Sequence, residues 1–226
     1  MATAKSGTKK IGIFGGTFDP VHFGHLRPAE EIRQHLALDE LYFIPAAVPP
    51  HKCYSEVTSS YHRLQMLEAA IRKNPFFFSS TYELEKGGPS YSIDTLVYFQ
   101  RRYGEQLYFI IGWDAFLVID TWKDFQDLFK LANFVVIPRF FPGQEQDERL
   151  TKEVFPVAIR RDFCYENKRV YRHKSGKILL FQPVTRLDIS SSMIRRERRA
   201  NRSLAYLTPE PVRRYIEIND LYLMNP

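Results

Sequence analysis

The chain has 226 residues, 44% of them hydrophobic and 15% aromatic, which supplies one sizeable core and excludes the disordered and low-complexity classes. Lys and Arg total 32 against 26 Asp and Glu, a formal charge of +6 that suits an anionic partner and is otherwise solvated surface. No apolar run approaches the roughly 20 residues needed to span a bilayer, which argues against a membrane protein.

In chain order, residues 1–9 read as a floppy tail, without the apolar segment of a secretion signal, and 10–226 as a single domain. "KIGIF" (10–14) is the first predicted strand and ends against Gly15 and Gly16. A helix follows, with Leu26, Ala29, Ile32 and Leu36 on one face and Pro28 in its opening turn. "LYFIP" (41–45) predicts a second strand, and Leu64, Leu67 and Ile71 mark the inward face of a second helix. "FFFSSTY" (76–82) reads as a strand, a third helix begins after Ser92 with Ile93, Leu96 and Val97, and "LYFIIG" (107–112), "FVVIP" (134–138) and "KILLFQ" (177–182) are further strands. Strands alternating with helices predict an α/β fold with a parallel sheet and crossover helices. Residues 141–177 turn irregular and charged and read as an insertion, while 189–226 form a small C-terminal helical part with a helix from about Pro209 carrying Val212, Tyr215 and Ile216 inward and Asn219 near its end. Cys53 and Cys164 match no metal-ligand spacing and read as ordinary reduced thiols, which implies a cytoplasmic protein.

The chemistry concentrates in "GGTFDPVHFGH" (15–25). Gly15 and Gly16 put bare backbone at the carboxyl end of a parallel strand, where a nucleotide can approach closely. Thr17 offers a hydroxyl and an N–H to a phosphate, and Asp19-Pro20 turns the chain. His22 precedes the helix and His25 lies in its first turn, so both imidazoles come to one side of a helix N-terminus and form a phosphate cradle, with Gly24 keeping side-chain bulk away. Two histidines without a third ligand do not make a catalytic metal site.

Later segments repeat this logic. "ISSSMIR" (189–195) opens a helix in which Ser190, Ser191 and Ser192 cap or present hydroxyls and Arg195, one turn on, brings a guanidinium over the same end. Gly112 and Asp114 put a close-approach position and a carboxylate at the ligand edge of the sheet, where Asp114 can accept from ribose hydroxyls or cap a helix. Ser92 can meet a small carboxylate, Lys52 in "PPHK" (49–52) a phosphate, and Arg63 and Arg139 are further phosphate candidates.

"GGTFDPVHFGH" resembles the signature of the H-x-G-H nucleotidyltransferases, and "PPHK", "HRLQML" (62–67), "GPSYSIDTL" (88–96), "IIGWDAF" (110–116) with Trp122, and "ISSSMIR" follow in the order of the bacterial nicotinate-nucleotide adenylyltransferase family. The resemblance implies a Rossmann-like parallel sheet with helices on both faces and adenylyl transfer from ATP to nicotinate mononucleotide. It implies catalytic roles for His22, His25, Lys52 and Arg195. ATP would be bound by Gly15, Gly16, Thr17, Gly24, Gly112, Asp114, Ser190, Ser191 and Ser192. Nicotinate mononucleotide would be bound by Ser92, Trp122 and Arg139, although Trp122 by itself reads as a core residue. Mg²⁺ arrives with ATP rather than residing in the protein. The partners are then the two nucleotides, without nucleic acid or membrane, and a homo-oligomer is left open. Another acceptor, such as nicotinamide mononucleotide or phosphopantetheine, and a non-catalytic nucleotide sensor are the alternatives. The basic run "IRRERRANR" is the best feature of a third, a nucleic-acid binder, which is disfavoured because the aromatics lie inside apolar runs.

Overall fold

A computed structural model of the protein describes residues 8–48, 57–137, 155–167 and 169–223. Its strands are β1 (Ile11–Gly16), β2 (Glu40–Pro45), β3 (Phe77–Ser79), β4 (Leu107–Gly112), β5 (Asn133–Ile137), β6 (Phe163–Asn167), β7 (Val170–His173) and β8 (Ile178–Phe181). Its helices are α1 (Phe23–Leu36), α2 (Ser60–Ile71), α3 (Tyr82–Lys86), α4 (Ser92–Tyr103), α5 (Trp113–Leu117), α6 (Phe125–Leu131), α7 (Ser191–Arg199) and α8 (Glu210–Ile218).

The strands form one sheet of order β3-β2-β1-β4-β5-β8-β7-β6. The first six in that order pair in parallel, and β7 and β6 extend the edge antiparallel. The strand order reverses between β1 and β4, and a reversal of this kind opens a crevice at the carboxyl ends of the two strands.

Period-two alternation fixes the two faces. Ile11, Ile13, Phe109, Ile111, Phe134 and Val136 point to one side, where they pack with Ile93, Leu96 and Phe99 of α4, Phe116 of α5 and Phe129 of α6. Phe14, Leu41, Phe43, Ile110 and Val135 point to the other, against Ala29 and Ile32 of α1, Met66 and Leu67 of α2, Ile194 of α7 and Val212 and Ile216 of α8. Each such side chain contributes about 1.5–3 kcal/mol on burial, so two cores, not the loops, hold β1 beside β4.

Several expectations shift. The strand expected over 76–82 shrinks to three residues, and Tyr82 opens a helix instead. Leu64 is only half-buried, and Arg63 takes the inward position beside Met66, Leu67 and Ile71. Pro28 lies in the second turn of α1 rather than the first, so the bond it lacks is the one to the Gly24 carbonyl. Within the stretch expected to be irregular, β6 and β7 form a hairpin that joins the sheet, because Phe163 and Tyr171 supply buried faces. Among the described residues no helix is long and apolar enough to cross a membrane.

Candidate active site

At the carboxyl end of β1 the chain turns through Thr17-Phe18-Asp19-Pro20-Val21 into α1, with a cis Asp19-Pro20 bond and Phe18 at a φ of 50°. His22 is the N-cap of α1 and His25 is in its first turn. Their rings stack at 3.7 Å between centroids, so the expected convergence is present. His25 Nδ1 accepts the His22 backbone N–H at 3.3 Å, which puts the proton of a neutral ring on Nε2. The Phe14 and Phe18 rings stand edge-on to His25 at 6.3 and 5.2 Å and fix its plane.

His22 is only 4% exposed, and its Nδ1 is buried without a hydrogen-bond partner among the described residues. Burial pulls this imidazole from 6.5 to about 4, so His22 is neutral at pH 7 and does not repel a charge on His25. As pH falls below 6.5, the unfolded chain takes up a proton that the folded chain refuses until about 4. Stability therefore falls through that window, by about 2 kcal/mol at pH 5 from this ring alone. His173, also lowered chiefly by its burial, acts in the same sense. Urea unfolding at about pH 7 and pH 5 is expected to show a smaller loss for His22→Gln than for the wild type. Equal losses would show that this ring is not the source.

The glycines divide in role. A Cβ at Gly15 or Gly112 would meet nothing within 4 Å, so both stand open at the carboxyl ends of neighbouring strands. A Cβ at Gly16 would lie 2.9 Å from the Phe18 ring, and one at Gly24 would lie 2.9 Å from the His22 ring and the Ile189 carbonyl. The room expected at Gly16 and Gly24 for a ligand is thus taken by the protein itself, which closes the turn over Phe18 and brings Ile189, the residue before the N-cap of α7, against α1.

The α7 end adjoins the histidines, as expected. The Ser191 hydroxyl donates to the Pro20 carbonyl at 2.9 Å, and Arg195 Nη1 donates to the Asp19 carbonyl at 2.7 Å. Ser190 is the N-cap, its Oγ accepting from the Met193 N–H at 3.2 Å, so its O–H remains to donate elsewhere. The Ser191 hydroxyl expected to face ATP is instead engaged by the turn, while Ser192 is exposed in the first turn. Arg195, one turn later, lies against the same segment as His22.

Asp19 and Arg63 have parts that their sequence context did not reveal. Asp19 is 2% exposed, with Oδ1 accepting from the Tyr222 hydroxyl at 2.7 Å and Oδ2 from the Thr58 N–H at 3.2 Å. Arg63, 1% exposed, donates to the carbonyls of Thr58, Thr17 and Ala46 at 2.8–2.9 Å. These bonds place its guanidinium under the turn, so its expected role as a phosphate ligand is replaced by a role as a brace. Thr208 adds a bond from its hydroxyl to the Val21 carbonyl at 2.7 Å. Asp19-Pro reads as turn chemistry, and nothing local marks a partner 203 residues away.

On the other face, Gly112 is the N-cap of α5 and Asp114 is exposed in its first turn, so Asp114 is not the cap. Ser92 is the first residue of α4. Trp122 is half-buried and edge-on to Phe109 at 6.3 Å, which accords with a core role. Its neighbour Lys123 lies 3.9 Å from Asp94 and 4.8 Å from the Tyr91 ring centroid, so the Trp122 segment and the start of α4 adjoin. Lys52, Cys53 and Arg139 lie outside the described residues.

Comparison with known proteins gives concordant results. Residues 13–197 match the model of the cytidylyltransferase-like family. A probable nicotinate-nucleotide adenylyltransferase of Syntrophotalea carbinolica is 45% identical over 215 residues, covering 94% of this chain and 97% of that protein. One of Geotalea daltonii is 44% identical over 216 residues, covering 94% and 98%. Among solved structures, the Plasmodium falciparum nicotinic acid mononucleotide adenylyltransferase complexed with NaAD aligns with a TM-score of 0.69 at 20% identity over 95% of this chain and 97% of that one. That likeness bears on the fold.

Proposed function

The chain belongs to the cytidylyltransferase-like family and, within it, to the nicotinate-nucleotide adenylyltransferases, and from that premise we propose how its residues carry adenylyl transfer from ATP to nicotinate mononucleotide. The product is the deamido dinucleotide that leads to NAD, with pyrophosphate released. The observation that carries the mechanism is the meeting of the His22–His25 stack with Arg195 and the start of α7 around one turn.

A phosphate oxygen of nicotinate mononucleotide attacks the α-phosphorus of ATP in line. The new P–O bond forms as the bond to the bridging oxygen of the β-phosphate breaks, and pyrophosphate leaves with that electron pair. The attacking phosphate is already ionised at pH 7, so the protein aligns two anions and stabilises charge moving onto the leaving group. His25, through Nε2–H, and Arg195 donate to the triphosphate, with Lys52 assigned to the same task by resemblance. His22, neutral and buried, backs His25 by stacking and supplies the backbone N–H that fixes its tautomer.

Gly15 and Gly112 leave space for the nucleotide at the switch point, Thr17 and the first-turn groups at Ser190–Ser192 serve its phosphates, and Asp114 its ribose. Ser92 meets the nicotinate carboxylate, with Trp122 beside it and Arg139 toward the mononucleotide phosphate. Gly16 and Gly24 serve ATP indirectly, by letting the turn close.

Mg²⁺ belongs to the substrate in this reading, entering on ATP oxygens and neutralising developing charge. Asp19 fits this, since both its oxygens already accept hydrogen bonds and a guanidinium lies close by. A cytoplasmic enzyme is part of this reading, supported by two cysteines that match no metal-ligand or C-x-x-C spacing in the sequence.

Pyrophosphate release from ATP is expected with nicotinate mononucleotide and at least about 10-fold less efficiently with nicotinamide mononucleotide, a gap of one well-placed polar contact. Release with phosphopantetheine in place of nicotinate mononucleotide would overturn the assignment.

A further inference from the structure

Resting on the adenylyltransferase reading, we propose that Tyr222 is a positioning residue for the transfer, its hydroxyl keeping the Asp19 carboxylate from drawing Arg195 away from the triphosphate. Arg195 Nη1 is 2.7 Å from the Asp19 carbonyl oxygen but 3.9 Å from carboxylate Oδ2. A buried carboxylate beside a guanidinium ordinarily pulls it into a close, often bidentate, pair. Here the two carboxylate oxygens are already engaged, Oδ1 by the Tyr222 hydroxyl and Oδ2 by the Thr58 N–H. Arg195 is thereby left on the main chain of the turn, with its other donors available to phosphate oxygens.

Tyr222 is well placed for this work. Its ring packs in the cluster between α1, α2 and α8, with the hydroxyl 4.0 Å from Met66 Sδ. Burial and the adjacent Asp19 hold the phenol protonated, so it acts as a donor at any pH the enzyme meets. Without the hydroxyl, Oδ1 is a buried anionic acceptor with one partner missing, and Arg195 is the strong donor within reach. The resulting ion pair would turn the guanidinium toward Asp19.

The test uses the full chain with Tyr222→Phe, which keeps the ring. Pyrophosphate release with nicotinate mononucleotide is expected to show kcat lowered about 10-fold, with KM for ATP changed less than about 3-fold. In an Asp19→Asn background, whose amide cannot capture a guanidinium by charge, the same change is expected to alter kcat less than about 2-fold. Wild-type kcat in Tyr222→Phe, or equal losses in both backgrounds, would overturn the proposal. If Tyr222→Phe alone does not fold, the pair built on Asp19→Asn tests it: a kcat change above about 2-fold on adding Tyr222→Phe would overturn the proposal, and a smaller one is the expected result. Failure of the wild type to release pyrophosphate would instead remove the functional reading. Hydrogen exchange then judges the coupling by itself: the Thr58 amide is expected to exchange faster in Tyr222→Phe, and unchanged protection would overturn it.

Discussion

Replacing His25 with alanine is expected to lower turnover about 100-fold to 1000-fold while leaving the protein folded, the loss typical of one preorganised donor to a developing anion. The size follows from how firmly the ring is held. It is stacked on His22 at 3.7 Å, oriented by the His22 N–H through Nδ1, and flanked edge-on by Phe14 and Phe18. A donor fixed this way needs little reorganisation when charge moves toward pyrophosphate. The turn itself does not depend on the ring, because Arg63, Ser191, Thr208 and Arg195 each hold one of its carbonyls. Pyrophosphate release at saturating ATP and nicotinate mononucleotide, read beside the thermal midpoint, checks this. Normal turnover in His25→Ala would remove the imidazole from the mechanism.

Arg63→Leu is expected to destabilise the fold by about 3 kcal/mol, the net of three half-buried carbonyls losing charge-assisted donors against the apolar gain of leucine. The three bonds tie the end of β1, the end of β2 and the start of α2 to a single planar group. Lysine has no such fork and should recover only part of the loss. Urea unfolding measures both variants. A shift under about 0.5 kcal/mol for Arg63→Leu, the usual scatter of surface changes, would mean that the brace is idle.

The parallel part of the sheet was legible because its strands are short apolar runs broken by glycine, proline or polar turns, as in "KIGIF" and "LYFIIG". The β6–β7 hairpin was not, since Cys164 to Asn167 are exposed and Phe163 is the lone buried residue of β6. Short α3, α5 and α6 lie below the length at which helical period stands out. At the site, the approach of His22 to His25 followed from spacing alone. The tasks of Gly16 and Gly24 did not, because the sequence says that a side chain is missing but not what fills the gap. Arg63 and Asp19 were hidden for a related reason: a basic residue and a turn-forming acid look like surface until their burial is known.

The bonds that finish the turn come from far along the chain, Ser191 to Pro20 across 171 residues, Thr208 to Val21 across 187 and Tyr222 to Asp19 across 203. During synthesis the histidine segment leaves the ribosome long before the residues that brace it. A nascent chain therefore carries the motif before it carries the hydroxyls that hold the Pro20 and Val21 carbonyls and the Asp19 carboxylate in place.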